Sequence, residues 1–510
     1  MLAGTVNPFV DTLANPLDLS AYTGASTLRS GFVLDEMTLR GMGPLPSLPW
    51  GAPRLAFDLD VRYNNSKGGT ADSSFGSASA SEAYLTQYYT HKSTVDSGYI
   101  ELEVPLVKKG WKPLLRGLEV QLAGHVDRYK VDTGTSYKNT YYNLTPPTVS
   151  YSSTTASGQP YFSEASYHSD SYTTGFKYEP VSDVILRVSA GSAFVPPTPT
   201  QLIKNVTQST NTTSVLDPQT GNTVAVHTIS GGNPDLKPQD SKTKDFGIIW
   251  QPSTGWFNGL RLNAEYQEID ETNVISTLSA QTIVNLESTY PDRVTRDTSG
   301  NITLVDISSL NLYRYILKQW DLTADYTRRT PLGTFTLSGE ATLIRHVQKQ
   351  ISLTQPMYEY AGYNPAENAS AGPKVRDNTS LTWNWRHWTA SWTTRYISPY
   401  KVYGAAGGPV SRQSANGGVY RYYVAAMGTD TIPSQTYHDA FLSYAFDRRE
   451  GRQRMLARAL DGVKIQVGVR NLMNKVPPID ASPQSLGYNY VSPYGDVRLR
   501  SYWITVKKAF

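Results

Sequence analysis

The sequence predicts an all-β chain folded as an antiparallel transmembrane β-barrel, and three observations carry that prediction. Apolar and polar residues alternate with period two along many short segments, as they do when successive side chains point to opposite faces of a sheet. The connections between these segments alternate between short turns and long polar loops, the pattern of strands that cross a bilayer with short turns on one side and long loops on the other. The last stretch, 497–510, alternates up to an aromatic residue, Phe510.

Composition is consistent with this class. Of the 510 residues, 35 are Tyr and only 13 Phe, with 39 Gly and 31 Pro, which suits a turn-rich β protein with wet aromatic surfaces. Lys and Arg number 47 against 43 acidic residues, so neither a nucleic-acid binder nor an acidic tail is indicated. The chain has no Cys, which excludes disulfide scaffolds and thiolate chemistry. No apolar run approaches the roughly 18 residues of a membrane helix. The negative mean hydropathy does not argue against a barrel, whose strands place only alternate residues in lipid.

Taken in order, residues 1–29 read as a loop-like N-terminal stretch without a basic or long apolar leader, and a weak strand spans 32–40 before a turn at 41–53. Leu55, Phe57, Leu59, Val61 and Tyr63 then alternate with Arg54, Asp58, Asp60 and Arg62. After a polar stretch at 64–98, Ile100, Leu102, Val104 and Leu106 stand opposite Glu101 and Glu103. A short basic turn at 108–117 leads to Leu118, Val120, Leu122 and Val126 opposite Glu119, Gln121, His125 and Asp127. A Tyr/Ser/Thr-rich loop, 130–171, precedes the hairpin 172–179 and 184–194.

The same unit recurs along the rest of the chain. Strands are expected at 242–251 and 260–270, then at 312–327 and 334–349 across Arg-Arg-Thr-Pro-Leu-Gly. The strands 375–385 and 388–398 meet at Arg386 and His387, and 437–446 and 463–472 flank a basic turn. Trp383, Trp385, Trp388 and Trp392 share one face of the Arg386 hairpin, where indoles form an aromatic girdle at a membrane edge. In the last strand Tyr502, Ile504, Val506 and Lys508 share one face, and the Lys, close to the chain end, can snorkel to the interface.

Catalytic, cofactor and metal sites are not expected. The seven His residues (91, 125, 168, 227, 346, 387 and 438) are scattered without metal-ligand spacing, and no phosphate loop, nucleophile elbow or zincin motif occurs. Glu101, Glu103, Glu119 and Asp127 read as a solvated lumen wall, not as paired acid and base groups. The cluster Arg448, Arg449, Arg452, Arg454 and Arg458 reads as a solvated turn. The long loops rich in Tyr, Asn, Ser and Gly form the expected binding surface, because such residues combine flat stacking area with adaptable hydrogen bonding.

Several stretches resemble the TonB-dependent outer-membrane receptor family: SAGSAFVPPTPTQL (189–202), GGNPDLKPQDSKTKDFGIIWQP (231–252), LNAEYQEIDETNVI (262–275), GYIELEVPL with LEVQLAGHVDRY, and VGVRNLMNKVPP (467–478). The resemblance covers roughly 30–510, departing at Val195, where a basic residue is common, and at Gln239, where an acidic one is. It implies a Gram-negative outer-membrane receptor that transports a scarce nutrient (a chelated metal such as a siderophore complex, a vitamin or a glycan) with the TonB complex as partner. It also implies that Phe510 serves the barrel-assembly machinery. The family barrel has about 22 strands, whereas about 15 are readable here, and neither a plug domain nor a TonB-contacting box is visible. The expectation is therefore a partial, plug-less barrel over 30–510. A passive, porin-like channel is the alternative function.

Overall fold

The computed structural model describes residues 24–508 except 78–79, 89–90, 109, 111, 113, 135–137, 144–149, 156–161, 203–211, 353–354, 364–371, 403–423, 426, 447–460 and 481–490. Its frame is a meander of long antiparallel strands: β1 (Gly24–Pro44), β2 (Arg54–Ser77), β3 (His91–Val107), β4 (Gly117–Gly134) and β5 (Phe162–Val181). It continues through β6 (Val184–Val195), β7 (Gln239–Trp250), β8 (Leu260–Ser276), β9 (Leu310–Thr330) and β10 (Gly333–Gln350). The last five are β11 (Val375–Trp385), β12 (Trp388–Ile397), β13 (Gln435–Ala445), β14 (Val463–Arg470) and β15 (Ser501–Lys508). Each pairs with its sequence neighbour, and short side branches bring the sheet to 19 strands. Among the described residues no ladder joins β1 to β15.

Register assigns the faces. Phe57 lies opposite Ile100 and Leu55 opposite Leu102; Leu102 in turn faces Leu122, and Val104 faces Val120. The row carries on through Phe176, Val188 and Phe246 to Tyr266 and Trp320. Of these outward side chains Phe57, Ile100, Leu122, Phe176, Val188 and Phe246 are solvent-exposed although apolar and the others half-buried, and Leu337, Leu381, Leu442, Val467 and Ile504 farther round are exposed as well. A continuous apolar belt of this kind is the surface a barrel shows to lipid. At the short-turn end the Leu381–Trp392, Trp383–Ala390 and Trp385–Trp388 pairs put the indoles on this outer face. Trp388 meets Tyr444 edge-on at 4.7 Å and Trp383 stacks on Trp385 at 6.1 Å. Lys508 shares the outer face with Val506 and Ile504, at the end of the strand opposite Val463.

The expected sorting of connections holds: β1–β2, β3–β4, β5–β6, β7–β8, β9–β10, β11–β12 and β13–β14 join at one end, and the long segments lie at the other. Three expectations need correction. β1 begins at Gly24, inside the stretch read as loop up to residue 29. β2 and β3 pair far into 64–98, and β5 starts at Phe162 inside 130–171. Beyond the lipid both faces of a strand are wet, so the period-two pattern fades while the backbone ladder continues. Finally, the segment read as loop up to about 311 is partly folded. Helix Ala280–Asn285 is capped by Ser279, whose side chain accepts from the Thr282 amide. Strands Val294–Arg296 and Ile302–Asp306 join Thr213–Leu216 and Thr223–Ile229 in a separate four-stranded sheet.

Candidate functional site: lumen wall and loop cap

The face opposite the lipid belt is polar on nearly every strand. Thr38, Asp60, Ser97, Asp127 and Ser169 lie in register across β1 to β5. Thr38 Oγ1 donates to Asp60 at 2.8 Å and Ser97 Oγ donates to Asp127 at 2.5 Å. Hydroxyl and carboxylate residues therefore alternate along this row. Arg62 lies 3.2 Å from Asp60, and His125 3.3 Å from Asp127. Glu101 accepts from Tyr99 Oη at 2.8 Å and from the Gln121 amide. Arg54 stands 3.9 Å from Glu103. Glu101, Glu103, Glu119 and Asp127 thus all line the lumen face: neutral donors hold Glu101 and Asp127, Arg54 stands by Glu103, and Glu119 meets the Glu103 carboxyl.

Of the seven His residues, His125, His168 and His346 each lie beside a single carboxylate, His346 at 2.8 Å from Glu359. His438 contacts the Thr394 hydroxyl at 3.1 Å. Among the described residues no three His, Asp or Glu side chains gather in a metal-binding group. The basic cluster Arg448–Arg458 and the terminal Phe510 lie outside the described residues.

The long-loop end carries a cap that sequence periodicity does not reveal. Val215, Val226, Ile283, Val284, Ile302 and Val305 form its core, which continues into Leu310 and Leu312 of β9 and Ile351 beyond β10. Burial of this cluster fuses the two loops to the wall strands. Its two hairpins share a turn chemistry. The Asp217 carboxylate accepts from the Gln219 amide at 3.0 Å, and that of Asp297 accepts from the Ser299 and Asn301 amides at 2.9 Å. The recurring Asp…Thr/Ser-Gly-Asn pattern at 217–222 and 297–301 is the signal that could have located both hairpins in the sequence. Arg296 links the pieces, binding Asp217 through two bonds of 2.8 and 2.9 Å and Glu287 through two of 2.8 and 2.7 Å. These bonds hold the Asp217 carboxyl down at about 2 and raise the Arg296 guanidinium above its usual range.

A second loop assembly sits above β12 and β13. Tyr400 Oη donates to Asp480 at 2.9 Å, Gln435 Nε2 to Ser492 Oγ at 2.8 Å, and Tyr437 Oη to Gln435 Oε1 at 2.9 Å, all of them buried. Burial drives the Tyr400 hydroxyl well above its ordinary range, so it remains a donor. In the Asn471–Lys475 turn, the Asn471 side chain brackets the backbone of Lys475 with two bonds of 2.8 Å.

With this geometry in view, known proteins supply the family. Residues 6–472 match the family model "TonB dependent receptor-like, beta-barrel". No curated protein matches the chain. Solved structures similar to it include the siderophore receptor PirA of Acinetobacter baumannii, at 11% identity and TM-score 0.44 over 94% of this chain and 71% of that one. The ferric enterobactin receptor PfeA of Pseudomonas aeruginosa gives 11% and 0.44 over 95% and 71%. The ferric-catecholate import receptor Fiu of E. coli K12 gives 12% and 0.39 over 95% and 61%. The family match spans most of the chain and accords with the lipid belt, the sorted turns and the polar lumen wall. The chain belongs to the TonB-dependent receptor β-barrel family, whose members are outer-membrane transport receptors for nutrients that work with TonB.

Proposed function

We propose that this receptor captures a scarce nutrient at its long-loop end and delivers it through the lumen in an energy-dependent step. A chelated metal such as a siderophore complex is the first class to test, with a vitamin or a glycan next. The observation that carries the reading is the construction of the loop end. Segments that could have been slack polar connections are instead packed on a shared apolar core and fused to the wall strands. A preorganised surface of this kind lowers the ordering cost of capture. We further propose that β15 and Phe510 engage the barrel-assembly machinery, and that residues 30–510 form one barrel unit.

The test is uptake by cells expressing the chain as their sole candidate receptor, offered ferric siderophores, cobalamin or oligosaccharides. Uptake that stops when TonB is deleted or the proton-motive force is collapsed supports the reading. Uptake indifferent to both, with steady conductance in planar bilayers, replaces it with a passive channel.

A further inference from the structure

The lumen wall between β5 and β8 departs from the self-satisfied pattern seen elsewhere. Arg187 of β6 pairs in register with Gly247 of β7, which pairs in register with Glu265 of β8. All three lie on the lumen face, so a cation and a carboxylate stand on either side of a residue without a side chain. Neither the Arg187 nor the Glu265 side chain has an ion pair or hydrogen bond among the described residues. The surrounding charges repeat the polarity. Lys177 lies opposite Arg187 and Asp321 opposite Glu265, so like charges are adjacent on each side of the gap. Adjacent like charges cost stability in a sheet. Lys177 is offset by Glu179 at 3.4 Å and Asp321 by the Thr342 and Gln319 donors at 2.7 and 2.9 Å, whereas Arg187 and Glu265 have no such partner among the described residues. The gap is a niche of about 320 Å³, lined also by Glu119 and Asp245.

We propose that this niche is a binding subsite for a small zwitterion, whose anionic end meets Arg187 and Lys177 and whose ammonium end meets Glu265 and Asp245. Strands lie about 4.8 Å apart, so the Arg187 and Glu265 backbones are about 10 Å apart. With each charged contact near 3 Å, the two poles of the ligand are separated by about 4–6 Å. A free dipeptide fits between such poles, since two extended residues span at most about 7 Å and its ammonium nitrogen and carboxylate carbon lie within that span. Gly247 forms the floor. A Cβ there would approach nothing nearer than 3.9 Å, at Arg187, so a branched side chain would project into the niche and fill it. The assignment adds a solute class to the lumen path and in that respect rests on the transport reading, but binding and transport are measured separately.

The experiment is isothermal titration of the full chain, folded in detergent, with dialanine as probe. Acetyl-dialanine supplies the anion alone and dialanine amide the cation alone. Saturable binding with a Kd of about 1 mM or tighter is expected for dialanine, weaker by about tenfold or more for either blocked form. Arg187→Gln and Glu265→Gln each weaken dialanine by a similar factor, and Gly247→Val abolishes binding. Circular dichroism and protease resistance confirm that each variant keeps its sheet. No binding by the unaltered chain, equal binding of the blocked forms, or variants without effect would each overturn the proposal. Loss of energy-dependent uptake with dialanine binding intact would count against the transport reading alone.

Discussion

Arg296 and Asp217 lie 79 residues apart in the chain and meet through two parallel hydrogen bonds of 2.8 and 2.9 Å, with the Asp217 side chain only 1% exposed. The contact ties a strand of one long loop to the turn of another, so it reports on the integrity of the whole cap.

Replacing Asp217 by Asn should destabilise the cap by about 2–3 kcal/mol, because the bidentate pair is lost and one face of Arg296 is left buried without its counter-charge. The wall strands should keep their protection. Hydrogen exchange resolved by peptide checks this: faster exchange at 213–229 and 280–306 is expected, with β2 to β7 unchanged.

The same pair has a pH signature. The folded Asp217 carboxyl is depressed to about 2 from an ordinary value of 3.8, so its contribution is complete above about pH 4 and disappears as pH falls through 2. Cap exchange in the unaltered chain should therefore accelerate on acidification below pH 4. In Asp217→Asn that acceleration should be smaller.

The lipid belt predicts a contrast between neighbours. Leu337 faces outward opposite Leu381, whereas the next residue back, Thr336, faces the lumen with its hydroxyl 3.3 Å from that of Thr327. Leu337→Arg should cost about 2–4 kcal/mol in a bilayer and Thr336→Arg much less. Denaturant titration of the chain folded in lipid vesicles measures both.

At the β9–β10 turn, Gly333 has a φ of +115°, and a Cβ there would fall 2.5 Å from the Asn384 carbonyl oxygen. Gly333→Ala should lower stability by about 1–3 kcal/mol through backbone strain and steric clash. The indole of Trp383, which donates to the Leu332 carbonyl at 2.7 Å, should shift its fluorescence in the variant.

Tyr400→Phe should loosen the second loop assembly by about 1–3 kcal/mol, since the buried Asp480 carboxylate loses a donor. Burial raises the Tyr400 hydroxyl, so its contribution is present below the ordinary tyrosine value near 10 and declines as pH rises past it. Exchange at 427–437 should accelerate above pH 10 in the unaltered chain, and less so in Tyr400→Phe.

The wall was legible in the sequence because its cause is local. Lipid on one side and water on the other impose a period of two on each strand separately, as in Leu102 against Glu103, and no knowledge of neighbours is needed to read it. Glu101, Glu103, Glu119 and Asp127 were assigned to the lumen on that basis alone. Where both faces are wet the local signal disappears, which is why β1 above Phe32 and β2 beyond Tyr63 read as loop.

The cap, the Tyr400 assembly and the Arg187–Gly247–Glu265 niche depend on something else. Each is made by residues from separate segments, such as Asp217 with Arg296 or Tyr400 with Asp480, and no periodicity within a segment encodes which partner it will meet. Alternation alone established that the chain builds a two-faced wall with turns at one end and loops at the other. Only the tertiary structure decided which loops fold together and which charges are left facing each other, because register and packing between distant segments are properties of their pairing and not of either segment by itself.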